Sequence, residues 1–234
     1  MNIKRMSAKI TGVRDVSPTA REVTLALPEP LEFMAGAFIN VFVEKEGKRE
    51  RRAYSISSDP ENQREVTLSI RRTNKPTSLS PVFWRDDVQS LPIDIMGPLG
   101  LNTADKITRP RVFLFAFGIG VSVVKGLVHH LLAGDKTEEV IIVTGSRSEE
   151  EILYKDFFES LASVDARVST RFVLSRPMYE SYPYAGYLHE HIADYDFTNA
   201  TVYICGQSAA CTALRDAIRA QAPVDPEFLI EAFD

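Results

Sequence analysis

Residues 51–55 read Arg51-Arg52-Ala53-Tyr54-Ser55, a strand-like stretch that carries permanent cations, a phenol and a hydroxyl. Arginine can grip a phosphate through two parallel hydrogen bonds, and an aromatic ring beside it suits a flat ligand. An exposed edge strand running into the turn Ser57-Ser58-Asp59-Pro60 would give the same pattern. A second group is Phe117-Gly118-Ile119-Gly120-Val121-Ser122. Glycines after a strand let the backbone turn tightly towards a pyrophosphate, and the N–H groups opening the next helix favour anions. Two glycines in a turn are common by themselves, and the position after the first strand of a βαβ unit gives these their weight. Arg147, next to Ser146, and Arg176 close two later strands, where an arginine can clamp a phosphate or simply face water. Cys205-Gly206-Gln207 ends another strand; a cysteine there is either a small buried hydrophobe or a neighbour of a ligand's reacting ring. No nearby base equips it for nucleophilic work. Thr77-Ser78-Leu79-Ser80 can cap a short helix ahead of Pro81. Glu149, Glu150 and Glu151 suit a helix N-terminus. The histidines His129, His130, His189 and His191 lack acidic or cysteine partners at ligand spacing, so no metal site is expected.

Two kinds of element must position these groups. In the first hundred residues, "SAKITGVRDV", "REVTLALP", "FINVFVEKEG", "RRAYSISS" and "REVTLSIRR" alternate apolar and polar residues between Pro, Gly, Asn and Asp clusters. Such spacing predicts an antiparallel barrel or sandwich. A short helix is expected over 79–88 and a last strand in "LPIDIMGPLG". From residue 110 apolar strands alternate with helices: "RVFLFAFG", "VSVVKGLVHHLLAG", "EVIIVTGSR", "EEEILYKDFFESLAS", "VSTRFVLSR", "AGYLHEHIADY", "ATVYICG" and "AACTALRDAIRAQ". That alternation predicts a parallel sheet covered on both faces, with ligands beyond its carboxyl edge. The expected fold is therefore an N-terminal antiparallel β-barrel, residues 1–103, followed by a C-terminal α/β doubly wound parallel-sheet domain, residues 110–234. The segment 102–111 is a candidate linker.

The 234 residues, 44% hydrophobic and 25% charged, are ordinary for a globular chain. A formal net charge of −5 argues against nucleic acid as a partner. Two cysteines, Cys205 and Cys211, make no disulfide framework and fit a reducing, cytoplasmic compartment. The N-terminus lacks a signal-peptide pattern, and the apolar run 112–124 is too short for a membrane span.

Taken in order, these motifs resemble the ferredoxin–NADP reductase superfamily of flavin reductases, over nearly the whole chain. "RAYS" (52–55) looks like that family's R-x-Y-S flavin motif. The resemblance implies that Arg52 binds flavin phosphate, with Ala53 next to it. It also implies that Tyr54 packs on the isoalloxazine and Ser55 hydrogen-bonds near N5. "SIRR" (69–72) is similar to the strand touching the pyrophosphate and adenosine, which implies Ser69, Ile70 and Arg71. Ser80, with Ser78 nearby, matches the serine that opens the phosphate-binding helix, and "GPLG" (97–100) follows at the family's spacing. "GIGVS", "GSRSEEEILY" and "CGQ" sit where the family has its nicotinamide-nucleotide loops. They imply contacts from Gly118, Gly120, Ser122, Ser146, Arg147, Arg176, Cys205, Gly206 and Gln207. The ending "EAF" (231–233) resembles a terminal E-x-F whose aromatic, Phe233 here, covers the flavin, while Cys205 and Glu231 border the nicotinamide.

The implied activity is hydride transfer from NAD(P)H to bound FAD, then electron transfer to a separate redox protein. FAD is preferred over FMN because "SIRR" and Ser80 offer more phosphate contacts than one phosphate requires; Arg147 and Arg176 favour NADPH over NADH. No cysteine-rich segment for an iron–sulfur cluster is present. The chain departs from the family at Phe117, where a glycine is usual, and at Val123, Gln207 and Ala37. Those departures keep open a second expectation: a non-catalytic or partner-dependent electron-transfer subunit with impaired NAD(P) binding.

Overall fold

Alternation is clearest in the first strand of the front sheet. Along β1 (Lys4–Ser17), Met6, Ala8 and Ile10 are buried while Arg5, Ser7 and Lys9 are not, as a sheet with one solvated face requires. The computed structural model describes residues 2–73, 75, 78–221 and 226–233. With β2 (Ala20–Ala26), β3 (Phe38–Lys45), β4 (Lys48–Ser55), β5 (Glu65–Arg71) and β6 (Ile93–Leu99), β1 forms an antiparallel sheet of order β4-β3-β6-β1-β2-β5. The sheet curls until its two edges meet: Ile56, just past β4, bridges Leu68 of β5, and the Ser57 N–H donates to the Thr67 carbonyl at 2.8 Å. Leu25, Ile39, Leu68 and Ile95 fill the interior.

The rear strands are apolar without alternation because both faces are covered. β7 (Arg111–Phe117), β8 (Glu139–Ser146), β9 (Val168–Leu174), β10 (Ala200–Gln207) and β11 (Glu227–Phe233) run parallel in the order β11-β10-β7-β8-β9. Leu114 and Ala116 of β7 pack on the side of α1 (Val121–Ala133) and α2 (Lys155–Val164); Phe113 and Phe115 pack on the side of α3 (Ser208–Gln221). The chain winds outward from β7 to β9, then returns to lay β10 on the other side of β7. The carboxyl ends of β7 and β10 therefore flank a topological switch point, where open α/β sheets bind ligands.

Several local expectations are corrected. Residues 79–88 form two 3₁₀ turns, Ser80–Trp84 and Val88–Ser90, in place of a helix. Glu149–Glu151 form a separate turn, and α2 opens only at Lys155, so these carboxylates do not cap it. Over 185–195 only the turn Leu188–Glu190 is helical. Gly186 takes φ +117, and the Glu190 carboxylate accepts the Tyr187 N–H at 2.6 Å, a local bond that replaces a helical one. β11 is a strand the sequence did not announce. Within the candidate linker 102–111, Thr103 and Ala104 are buried and Asn102 Nδ2 donates to the Ile230 carbonyl at 2.8 Å, while Asp105, Lys106, Thr108 and Arg109 are exposed. Helix α1 presses on the barrel at Gly126, where a Cβ would stand 3.0 Å from the Ile56 carbonyl oxygen.

Candidate ligand cleft between the two sheets

A cleft of about 270 Å³ opens where β4 and β5 face the start of α1. On β4, the two-residue period sets Arg52 and Tyr54 on one side, and Arg52, Ala53, Tyr54 and Ser55 all border the cleft. Arg52 Nη1 donates to the Arg51 carbonyl at 2.6 Å and Nη2 lies 3.7 Å from a Glu50 carboxylate oxygen. The Tyr54 ring meets Phe83 edge-on at 5.9 Å, which fixes its plane. Burial pushes the Tyr54 phenol well above its ordinary pKa, against a small opposing pull from Arg52, so the phenol stays neutral.

On β5 the same period divides the predicted residues. Ser69 and Arg71 border the cleft. The side chain of Ile70, expected at the ligand, is only 1% exposed and belongs to the barrel core with Leu68 and Val66. Beyond β5 the chain folds back through hydroxyls: Ser80 Oγ accepts the Thr73 N–H at 2.9 Å and the Ser78 hydroxyl at 2.9 Å, while the Ser80 N–H donates to Ser78 Oγ at 3.0 Å. Ser78 and Ser80 thus shape the loop and border the cleft, without capping the following turn. Thr77 lies outside the described residues. Thr73, Lys75 and Ile119 also line the cleft and were missed by sequence reasoning. The hydroxyls around Thr73 and Lys75 were a usable signal; Ile119, between two glycines, offered none.

Arg71 is the junction. Its guanidinium lies 3.4 to 3.7 Å from where a Cβ on Gly118 would stand, and Nη2 is 3.4 Å from Glu151 of the rear domain. Its Nε is buried with no hydrogen-bond partner among the described residues. Burial lowers its pKa, Glu151 opposes this, and Arg147 adds to it. A cation with a buried, unused donor at the edge of a cleft is suited to an anionic group, so the residues present fit a phosphate-bearing cofactor.

The rear wall holds Ile119 and Ser122, and the Phe233 side chain, 37% exposed, also lines the cleft. Gly118 turns the chain with φ +53. Gly120 packs so tightly on the Cys205 carbonyl that no Cβ fits. The remaining predicted residues stand around the carboxyl edge of the sheet and outside the cleft proper. Ser146 Oγ donates to the Glu151 carbonyl at 3.2 Å. Arg147 and Arg176 are exposed on adjacent strand ends, joined by the Arg176 N–H to Arg147 carbonyl bond at 2.7 Å. Gln207 is exposed and Gly206 takes φ +150. Cys205 is 0% exposed, and burial together with Glu231 pushes its thiol well up, which makes it a poor nucleophile. Glu231 pairs in register with Cys205; burial raises its carboxyl pKa and the Asn102 hydrogen bond at 3.2 Å opposes the rise.

Phe117 occupies the switch point itself. A Cβ on Gly206 would stand 2.7 Å from Phe117 Cβ, and one on Gly145 would stand 3.2 Å from its ring. The half-buried ring therefore bridges the ends of β8 and β10, and both glycines leave room for it.

Comparison with known proteins covers both halves. The family model described as an oxidoreductase FAD-binding domain matches residues 7–102, and that of an oxidoreductase NAD-binding domain matches 114–216. The phenol hydroxylase P5 protein of Acinetobacter pittii (strain PHEA-2) is 28% identical over 211 residues, 87% of this chain and 58% of that one. The chain thus spans less than two thirds of that relative. Ferredoxin–NADP reductase B of Sorangium cellulosum (strain So ce56) is 26% identical, with 97% of each chain covered. Among solved structures, the Amycolatopsis cytochrome P450 reductase GcoB shares the fold with a TM-score of 0.84 at 23% identity, over 99% of this chain and 70% of that one.

Proposed function

Because the chain belongs to the ferredoxin–NADP reductase superfamily, with its FAD-binding and NAD-binding domains, we propose that it is an FAD-dependent NAD(P)H oxidoreductase serving a separate redox protein. Residues 1–103 hold the flavin and 110–234 the nicotinamide nucleotide. The observation that carries this reading is Arg71, which reaches from the flavin-side strand to the glycine turn of the rear domain with a buried donor that no other described residue engages. FAD, when bound, accepts a hydride and releases single electrons; that chemistry belongs to the cofactor.

The protein's share is binding, orientation and exclusion of water. Arg52 and Arg71 neutralise the flavin phosphates, and Lys75, Ser78 and Ser80 border the same end of the cleft. Tyr54, held edge-on by Phe83, presents a neutral ring for packing on the isoalloxazine. Ser55 donates its hydroxyl near the flavin's reacting edge. Phe233, partly exposed at the mouth, covers the other side. On the rear edge, Gly118, Gly120 and Ser122 receive the nucleotide pyrophosphate, while Arg147 and Arg176 attract a 2′-phosphate. Cys205 acts through its bulk and its backbone, since its thiol is sequestered. No helix among the described residues is long and apolar enough to cross a membrane, and the free thiols Cys205 and Cys211 suit a reducing cytoplasm.

The test is an absorption spectrum of the purified protein followed by anaerobic titration with NADH and NADPH separately. A flavin spectrum that bleaches with either nucleotide supports the reading. A colourless protein that FAD does not reconstitute overturns it. The position of Phe117 favours a second reading, a non-catalytic module with impaired nucleotide binding; a flavin that binds but never bleaches selects it.

A further inference from the structure

Between the nucleotide-side loop after β8 and helix α2, two side chains three residues apart reach into the front domain. The Glu151 carboxylate accepts the Thr19 hydroxyl at 2.7 and 2.9 Å and faces Arg71 at 3.4 Å. The Tyr154 hydroxyl donates to Glu22 of β2 at 2.8 Å and lies 2.6 Å from Ser69 Oγ of β5. A phenol carries one proton, so Ser69 is the donor in the second bond. Glu22 also takes Lys125 of α1 at 2.9 Å and Arg14 at 3.1 Å, and the Lys125 ammonium stands 4.6 Å above the Tyr154 ring.

The backbone at Tyr154 has φ 57 and ψ 30. Bulky residues rarely adopt that left-handed conformation, and it persists where surrounding contacts over-determine it. Burial, then the Glu22 charge, raise the phenol's pKa, which keeps its proton on. Burial pushes Glu22 up, but the hydrogen bond and charge of Lys125, with Tyr154 and Arg14, hold its carboxyl below the usual value and ionised. The donor and acceptor roles are therefore fixed at neutral pH. The cluster also sits one residue from the barrel core at Ile70 and three from the nucleotide-side Glu151.

We propose that Tyr154 is a positioning residue: with Glu151 it clamps the segment after β8 to strand β5 and so sets the separation and tilt of the two ligand sites. The inference rests on the two-ligand reading above. Hydride transfer is sensitive to such settings, since a displacement of about 1 Å costs on the order of 100-fold in rate. A clamp also differs from simple adhesion in a measurable way. It governs the rate of reduction at saturating nucleotide, and loss of the Tyr154 hydroxyl alone leaves the Arg71–Glu151 pair and the Ser69 side chain available to a ligand.

The experiment uses the FAD-reconstituted full chain and Tyr154→Phe, which removes one hydroxyl and keeps the ring over Lys125. Bleaching of the flavin by saturating NADPH or NADH should slow by about tenfold or more, with flavin content and nucleotide Kd within about threefold of the parent. Amide hydrogen exchange should quicken in 66–71 and 151–158 while the cores of β1 and β10 stay protected. Glu22→Gln repeats the test from the barrel side if the first variant folds poorly. Unchanged exchange at the seam overturns the proposal, whatever the rate. So does a bleaching rate within about twofold of the parent, or loss of flavin with the rate. If the parent itself never bleaches, the two-ligand reading fails and exchange alone decides: quickening confined to the seam supports the clamp, and none overturns it.

Discussion

The barrel face of the cleft and the carboxyl edge of the rear sheet, each proposed above to hold an anionic dinucleotide, differ in their economies of side chain and backbone. On the front, β4 and β5 bring long cationic and aromatic side chains, Arg52, Tyr54 and Arg71, to a surface whose underside is packed barrel. On the rear, strand ends offer mainly backbone: Gly118 and Gly206 at positive φ, and Gly120 against a carbonyl. A side-chain site tolerates small shifts of its scaffold, because each arm can reorient. A backbone site fails or changes when one bulky group enters, and Phe117 is such a group, seated between Gly145 and Gly206. The barrel face is therefore expected to tolerate change better than the rear edge.

The largest expected effect lies at the front. If Arg52 holds a flavin phosphate as proposed, Arg52→Ala removes a charge-assisted contact of about 1.5–3 kcal/mol, and FAD affinity should fall by roughly 10- to 100-fold in a reconstitution titration. Full flavin content in the purified variant would erase the side-chain character assigned to that wall. Next comes the exposed rear pair: Arg147→Ala with Arg176→Ala should raise the KM for NADPH about tenfold and leave NADH nearly unchanged. Equal losses for both nucleotides would show that the arginines do not distinguish a 2′-phosphate. A smaller effect is expected at the switch point. Phe117→Ala opens the space between Gly145 and Gly206, and the KM for NAD(P)H should drop about threefold with kcat little changed. A rise in KM would make the ring a supporting floor for the nucleotide instead of an obstacle.

Sequence legibility followed the same division. The front strands were readable because a one-sided sheet writes its faces into alternation, and "RAYS" carries its chemistry in side chains. The Ile70 side chain lies in the core because the two-residue period turns only Ser69 and Arg71 to the cleft face, which a motif carried over as a block does not distinguish. The parallel strands β7 to β10 were readable as apolar runs, but β11 was not: its residues are half-buried at an edge, with neither alternation nor a continuous apolar run. The Glu149–Glu151 run looked like a helix start because charge pattern is local. Its actual use, Glu151 on Thr19 and Arg71, depends on contacts more than 75 residues apart in sequence. Tyr154 was invisible for the same reason, since no local pattern announces a left-handed aromatic residue or its partners Glu22 and Ser69.

The last expectation sets one carboxylate from each wall against the other, and the signs differ. Glu22, at the seam on the front domain, has a folded pKa below its ordinary value despite burial, through Lys125, Tyr154 and Arg14. It contributes stability above its unfolded pKa and loses it as pH falls through the folded one. Glu231, at the rear edge, is raised by burial, with only Asn102 opposing. Its contribution is present below the unfolded pKa and is lost as pH rises through the folded one. Glu22→Gln should therefore lower Tm at neutral pH and matter progressively less as pH falls through the lowered folded pKa. Glu231→Gln should raise Tm slightly at neutral pH, and that gain should vanish below about pH 4. Each effect is under about 1 kcal/mol after solvent screening, or up to about 4 °C for a chain of this length. Thermal melts of both variants across that range test the pair together. Parallel pH dependence of the two would mean that the seam is not held by ionised Glu22, and that front and rear walls share one electrostatic environment.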